Sequence, residues 1–250
     1  MTAWLEGTVV GRKQWTDRLL SLRIDLPGDG PGIRFEAGQF GKIALDVGGE
    51  RVARPYSFVN APDERTLEFF YAIVEGGPLS PRLAALGVGD RIFVASSAAG
   101  FLVLSEVPDA VNLWLVATGT GVGPFLSILR TAETWNRFRR VTLVYAARYS
   151  ADLAYGEAID AVAQRHAAQF GAIRVTSRDD GGDLKGRIPA LIADGSLEAK
   201  AGAELSAQAS QVMLCGNPEM VKDAIAALAA RGMKKHRRRS PGQITVENYW

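Results

Sequence analysis

Three stretches carry residue types that can do chemistry. In Ala117-Thr118-Gly119-Thr120-Gly121-Val122-Gly123-Pro124 an apolar run stops at three alternating glycines and a proline. Glycines lack a Cβ and let the backbone approach something bulky. Pro124 suits the first position of a helix, where its missing N–H costs nothing. A strand, a glycine loop and a helix in this order aim free N–H groups and the positive end of a helix dipole at one point, a setting for a phosphate. The spacing is G-x-G-x-G-P, not the dinucleotide fingerprint G-x-G-x-x-G, so taken alone the stretch fits a tight turn equally well. In Arg54-Pro55-Tyr56-Ser57, strand alternation puts Arg54 and Tyr56 on one face. A cation beside an aromatic ring can hold a phosphate and a planar ring together. A surface arginine and a half-buried tyrosine on an edge strand, where Pro55 is tolerated, is the plainer reading. Cys215-Gly216-Asn217-Pro218 closes a third apolar run. Asn217 can cap the helix that Pro218 begins. Cys215 falls at the carboxyl edge, where open α/β sheets bind ligands, although a strand cysteine is ordinarily core packing.

Charge at neighbouring strand ends bears on nucleotide choice. An NAD site usually has an acid about twenty residues after the glycine loop, accepting the ribose hydroxyls. Here the next strand ends in Tyr145-Ala146-Ala147-Arg148, without an acid; the following one ends in Ser177-Arg178, and Arg187 comes soon after. Three arginines at adjacent strand ends suit the extra 2′-phosphate of NADP. Three solvated surface arginines would look the same, and that is the commoner state of any one arginine.

The elements that must position these groups fall into two styles. Residues 4 to about 100 read as short strands between Gly/Pro turns: Gly7–Gly11, Leu19–Ile24, Gln39–Leu45, Leu67–Val74 and Arg91–Val94. This pattern suggests an antiparallel barrel or sandwich. One short helix is expected over Pro81–Gly87, capped by Ser80. From about residue 111 strands alternate with helices, which predicts a parallel α/β sheet. Its parts are Leu113–Thr118, Val141–Ala146, a helix from Leu153 to Phe170, Ala172–Thr176, Gln211–Cys215, a helix from Pro218 to Arg231, and Gln243–Val246. The boundary is placed near Glu106–Asp109, giving units 1–107 and 108–250.

The totals exclude several functions. A net charge of +2 over 250 residues gives no general affinity for nucleic acid or membrane, no apolar run reaches spanning length, and the first residues lack a signal-peptide pattern. With 1 cysteine and 2 histidines, neither near a nucleophile or metal-ligand pattern, cysteine-ligated clusters and hydrolase triads are not expected. A reduced, cytoplasmic setting and a monomer are the expectations. The run Lys234-Lys235-His236-Arg237-Arg238-Arg239 reads as a solvated loop, or as a place for an acidic partner to dock.

Taken together and in order, Arg-x-Tyr-Ser at 54–57, Gly77-Pro78-Leu79-Ser80, Ala117–Gly121, Cys215–Pro218 and the terminal Glu247-Asn248-Tyr249-Trp250 resemble the ferredoxin–NADP reductase family in its bacterial form. The resemblance spans the whole chain. It implies an FAD-binding Greek-key barrel, an NADP(H)-binding α/β domain, and a ferredoxin or flavodoxin partner. It implies that Arg54 neutralises the FAD pyrophosphate, with Pro55 beside it. Tyr56 would stack on the flavin and Ser57 would lie near its reactive edge. Since alternation turns Ser57 away from Tyr56, a twist or bulge is expected at Pro55. Tyr71 would contribute backbone contacts, and Pro78, Leu79 and Ser80 would offer N–H groups to the pyrophosphate. Thr120 would close over the flavin. Ala147, Arg148, Ser177, Arg178 and Arg187 would receive NADP; with the resemblance, NADP becomes the expected nucleotide. Cys215 would touch the nicotinamide at the hydride-transfer position, Gly216 and Asn217 would bind cofactor, and Asp223 would lie near the nucleotide. Glu247 would orient groups or relay a proton. Tyr249 and Trp250 would cover the flavin, the last ring on the adenine. Two alternatives stay open: the reductase component of an oxygenase chain, and a non-catalytic nucleotide-binding sensor.

Overall fold

The computed structural model describes residues 3–28 and 32–248. The first half contains β1 (Trp4–Gln14), β2 (Leu19–Asp25), β3 (Phe40–Val47), β4 (Glu50–Ser57), β5 (Leu67–Ala72) and β6 (Arg91–Ala95). They form one antiparallel sheet in the order β4-β3-β6-β1-β2-β5. Phe58, just past β4, bridges Phe69 of β5, so the two edge strands meet and the sheet curls into a barrel. Period-2 alternation fills it: Leu20, Leu22 and Ile24 of β2 and Ile92 and Val94 of β6 are wholly buried in one core. β3 turns into β4 through Gly48-Gly49, both at positive φ, the two-residue hairpin that glycines permit.

The second half is a parallel sheet, β10-β9-β8-β7-β11-β12, built from β7 (Asn112–Thr118), β8 (Arg140–Ala147), β9 (Phe170–Thr176), β10 (Leu184–Lys185), β11 (Ser210–Gly216) and β12 (Ile244–Asn248). The expected barrel and α/β sheet are both present. β7 is apolar from Leu113 to Ala117, as befits a strand buried on both faces. Leu113, Leu115 and Ala117 enter a core with α2 (Gly123–Leu129) and α4 (Gly156–Arg165). Trp114 and Val116 enter another with α5 (Ile188–Ala193), α6 (Ser196–Ala201) and α7 (Pro218–Ala229). The first of these cores also takes Leu19, Val59, Phe70 and Leu102 from the barrel half, so the two sheets share an apolar seam. The remaining helices are α1 (Ser80–Ala84), which turns Leu83 into the barrel core, and α3 (Ala132–Arg137).

Several boundaries differ from expectation. The helix expected from Leu153 to Phe170 is only α4; Tyr155, before it, sits at φ 62, and Phe170 already opens β9. The amides of Gln169 and Phe170 both donate to the His166 carbonyl, which turns the chain out of the helix. α7 stops at Ala229, and Gly232 follows at positive φ. Among the described residues no helix is long and apolar enough to cross a membrane.

Candidate active site at the seam

On the barrel side the site starts at β4. This is an edge strand, which is how Pro55 is accommodated. The expected bulge at Pro55 is not there: pairing with β3 runs in unbroken register from Val47↔Glu50 to Phe40↔Ser57. Regular pleating therefore keeps Ser57 on the opposite face from Arg54 and Tyr56. Ser57 is buried and faces the second half, its Cβ 3.9 Å from where a Cβ on Gly123 would lie. Arg54 is exposed, with Nη1 donating to the Ala53 carbonyl at 2.7 Å. Tyr56 is half-buried and meets Tyr71 edge-on, centroids 5.8 Å apart. Burial pushes the Tyr56 phenol up to about 12 and raises that of Tyr71 as well. The Tyr71 hydroxyl is buried without a hydrogen-bond partner among the described residues.

The turn after β5 needs two corrections. Ser80 does not cap α1 from outside. It is the first helical residue, and its Oγ accepts the Val74 amide at 2.9 Å, pinning the turn. Pro78 has no N–H to offer, so the open amides at this helix start are those of Leu79 and Ser80. The Pro78 carbonyl accepts from Arg82 Nη1 at 2.7 Å.

Across the seam, the glycine loop after β7 winds one 3₁₀ turn over Gly119–Val122 before α2 begins at Gly123, with Pro124 in its first turn. Gly121 in this loop and Gly216 at the end of β11 answer a steric demand. A Cβ on Gly121 would lie 2.5 Å from the Cys215 carbonyl oxygen, and one on Gly216, at φ +136, would collide with Thr118. The loop after β11 is thereby held against the loop after β7, and Thr118 Oγ1 accepts the Asn217 amide at 2.9 Å. Asn217 caps α7 as expected, its side chain accepting from the amides of Glu219 and Met220. Cys215 is fully buried in the shared core, and Thr120 is half-buried. Asp223 is exposed on α7 and makes no hydrogen bond or ion pair among the described residues.

Glu247 faces Cys215 in the β11–β12 register, and its Oε1 would lie 2.9 Å from a Cβ on Gly100 of the barrel half. Its Oε2 is buried without a partner among the described residues, and burial pushes the carboxyl up to about 7. Tyr249 and Trp250 lie outside the described residues.

At the far edge the strand ends align. Ala147 of β8 pairs with Thr176 of β9, which pairs with Lys185 of β10. Ser177 then donates to the Ala147 carbonyl, and the Arg178 amide to the Arg148 carbonyl at 2.9 Å. Arg148, Arg178 and Arg187 are all exposed, just beyond three adjacent strands. Sequence reasoning missed Asp179 in this region and Tyr155 at the seam. Asp179 is one of two consecutive acids in a glycine-rich turn, and nothing in that composition says which way either points. Tyr155 occupies a conformation that sequence does not mark for a tyrosine.

An orphaned phenol, a half-buried ring, open amides and an exposed arginine suit a flat ring system with a diphosphate tail. The strand-end arginines suit a second phosphate. Comparison with known proteins agrees. The oxidoreductase FAD-binding domain family matches residues 6–101, and the oxidoreductase NAD-binding domain family matches residues 115–225. Flavodoxin/ferredoxin–NADP reductases of Shigella flexneri and Escherichia coli (strain K12) are each 48% identical over 252 residues, covering 100% of both chains. A solved ferredoxin NADP+ reductase from Neisseria gonorrhoeae, with bound FAD and NADP, superposes with a TM-score of 0.93 at 34% identity over 100% of both chains. With both halves matched and nearly half of all positions shared from end to end, the chain belongs to the flavodoxin/ferredoxin–NADP reductase family.

Proposed function

We propose that this chain moves hydride between NADP(H) and FAD, and single electrons between FAD and ferredoxin or flavodoxin. The observation that carries the reading is the facing of β4 and the glycine loop: Ser57 at the end of the FAD-side strand lies directly against Gly123 at the start of α2. Residues 1–107 would form the FAD unit and 108–250 the NADP unit. FAD, when bound, supplies the chemistry by exchanging hydride with the nicotinamide and electrons one at a time with a carrier.

The chain's own residues bind, orient and exclude water. Arg54, whose Nη1 donates to the Ala53 carbonyl, would hold the pyrophosphate together with the Leu79 and Ser80 amides. Tyr56 would offer its half-buried ring to the flavin, Tyr71, buried in the barrel core, would contribute backbone contacts, and Ser57 would lie near the reactive side. Cys215, buried at the end of β11, would provide an apolar contact on the nicotinamide side. Glu247 holds or releases a proton at its carboxyl near neutral pH. Arg148, Arg178 and Arg187, with Ala147 and Ser177, receive the 2′-phosphate end. Gly216, Asn217 and Asp223 would contribute to the nucleotide site, and the family resemblance assigns Tyr249 and Trp250, which lie outside the described residues, to covering the flavin. A single cysteine fits a reduced compartment, and we assign the enzyme to the cytoplasm.

Anaerobic titration tests the reading. NADPH should bleach the flavin absorbance of the purified protein, and adding oxidised ferredoxin or flavodoxin should restore it. Protein without flavin, or flavin that NADPH does not bleach, overturns it.

A further inference from the structure

The acid that follows Arg178 is unexpected beside a phosphate site. A carboxylate at the end of a nucleotide-binding strand ordinarily accepts ribose hydroxyls and repels a 2′-phosphate. Asp179 is turned inward. Its Oδ2 accepts from the Ser150 amide at 2.8 Å and from Ser150 Oγ at 2.9 Å. Its Oδ1 accepts from the Gly181 amide at 3.2 Å, and its carbonyl accepts from Thr176 Oγ1 at 2.8 Å. These donors, the Ser150 amide foremost, hold the carboxyl below its usual range. The neighbouring Asp180 is taken by Lys185 at 2.8 Å.

The bonds of Asp179 tie together the two loops that carry the arginines. Arg148 stands two residues before Ser150, and Arg178 immediately precedes Asp179. Gly181 makes the tie close: a Cβ there would lie 2.5 Å from both Cβ and Oγ of Ser150. Two exposed guanidiniums on adjacent loops repel each other, so the loops need such a tie to present both arginines to one dianion.

We propose that Asp179 is a positioning residue for nucleotide choice, clamping the β8 and β9 loops so that Arg148 and Arg178 converge on the 2′-phosphate. This rests on the assignment of those arginines to the 2′-phosphate, and the test separates the two. Simple Coulombic reasoning and the clamp predict opposite signs. Removing a negative charge beside a phosphate should tighten binding, whereas removing a clamp should weaken it.

The experiment is calorimetric titration of the holoenzyme with 2′,5′-ADP, alongside steady-state kinetics with NADPH and NADH. Asp179→Ala should raise the Kd for 2′,5′-ADP about tenfold, the scale of a 1.4 kcal/mol loss. The KM for NADPH should rise in parallel, while kcat at saturating NADPH and the KM for NADH stay put. Asp179→Asn, which keeps an acceptor for Ser150, should recover part of the loss. Gly181→Ala keeps the acid yet parts the loops, and should reproduce the loss. Ser150→Ala replaces Asp179→Ala if that variant fails to retain flavin, with a smaller loss in the same direction. Unchanged or tighter 2′,5′-ADP binding in Asp179→Ala, with Arg178→Ala weakened, removes the clamp alone. Unchanged binding in Arg178→Ala removes the arginine assignment, and the proposal with it.

Discussion

The same side-chain type behaves in opposite ways at two points of this molecule, and its surroundings decide which. Glu106 lies beside Arg238, whose hydrogen bonds hold its carboxyl below the usual range. Glu247 pairs with no cation among the described residues, and burial pushes it up to about 7. A carboxylate that is harder to ionise folded than unfolded stabilises the fold at low pH and costs stability as pH rises. The loss begins near the unfolded value of 4.5 and levels off above about 7. Glu247→Gln should therefore flatten that part of the stability profile, removing a loss on the order of 2 kcal/mol between pH 5 and 7.5. Urea unfolding at the two pH values checks this; an unchanged slope means that Glu247 ionises normally. Arg178 offers a second residue-level prediction. Losing one charge-assisted contact costs about 1.5–3 kcal/mol, so Arg178→Ala should raise the KM for NADPH by about tenfold to a hundredfold and leave that for NADH nearly unmoved. Equal effects on both nucleotides would take Arg178 out of the 2′-phosphate site.

At the scale of elements, strained or crowded turns mark where two pieces of chain have to touch. Tyr155 sits at φ 62 at the start of α4, and its hydroxyl reaches across the seam to Ser21 Oγ and Glu68 Oε1, both at 2.6 Å. Trp15 and Phe70 pack on its ring, 4.5 and 5.3 Å between centroids. Tyr155→Phe keeps the packing and leaves Glu68 short of a donor. It should lower stability by about 1–3 kcal/mol with flavin content unchanged. A thermal melt equal to the parent's would show that the hydroxyl holds nothing. Such contacts were not legible in sequence, because they depend on a fold that brings residues 21, 68 and 155 together. What was legible had a local cause. The buried strand β7 is apolar on both faces, Asn217-Pro218 carries its own cap, and Pro55 permits only an edge. β10 and the short helices α5 and α6 were missed since two to six residues cannot display a period. The supposed bulge at Pro55 came from asking one strand face to serve Tyr56 and Ser57 together. β4 solves this by ending at Ser57, so that successive side chains reach opposite sides of its tip.

For the molecule as a whole, the seam has to be firm enough to align two nucleotides and open enough to meet a carrier. Firmness comes from the core shared by both sheets and from polar ties such as Ser127 Oγ to the Asn60 carbonyl at 2.6 Å. The open side is marked by charge. Lys234, Lys235, Arg237 and Arg239 are exposed on the loop between α7 and β12. Arg238 anchors that loop to the barrel half, paired with Glu106 and lying 4.7 Å from the ring centroid of the exposed Phe101. Phe101 follows Gly100, which lies against Glu247, so the cationic loop borders the seam itself. An acidic carrier drawn to this loop would arrive beside the seam where the flavin is proposed to sit. Steering of this kind raises association rates by about ten to a thousandfold and fades as salt rises. At saturating NADPH, raising ionic strength from about 0.05 to 0.5 M should cut the rate of carrier reduction at least about tenfold. Reduction of a small uncharged dye should change less than about twofold, since it needs no steering. Replacing Arg237 and Arg239 together by glutamine should flatten the carrier's salt dependence and leave dye reduction alone. If the double variant keeps the parent's salt slope, the carrier docks elsewhere, and the loop's charge serves only its own hydration.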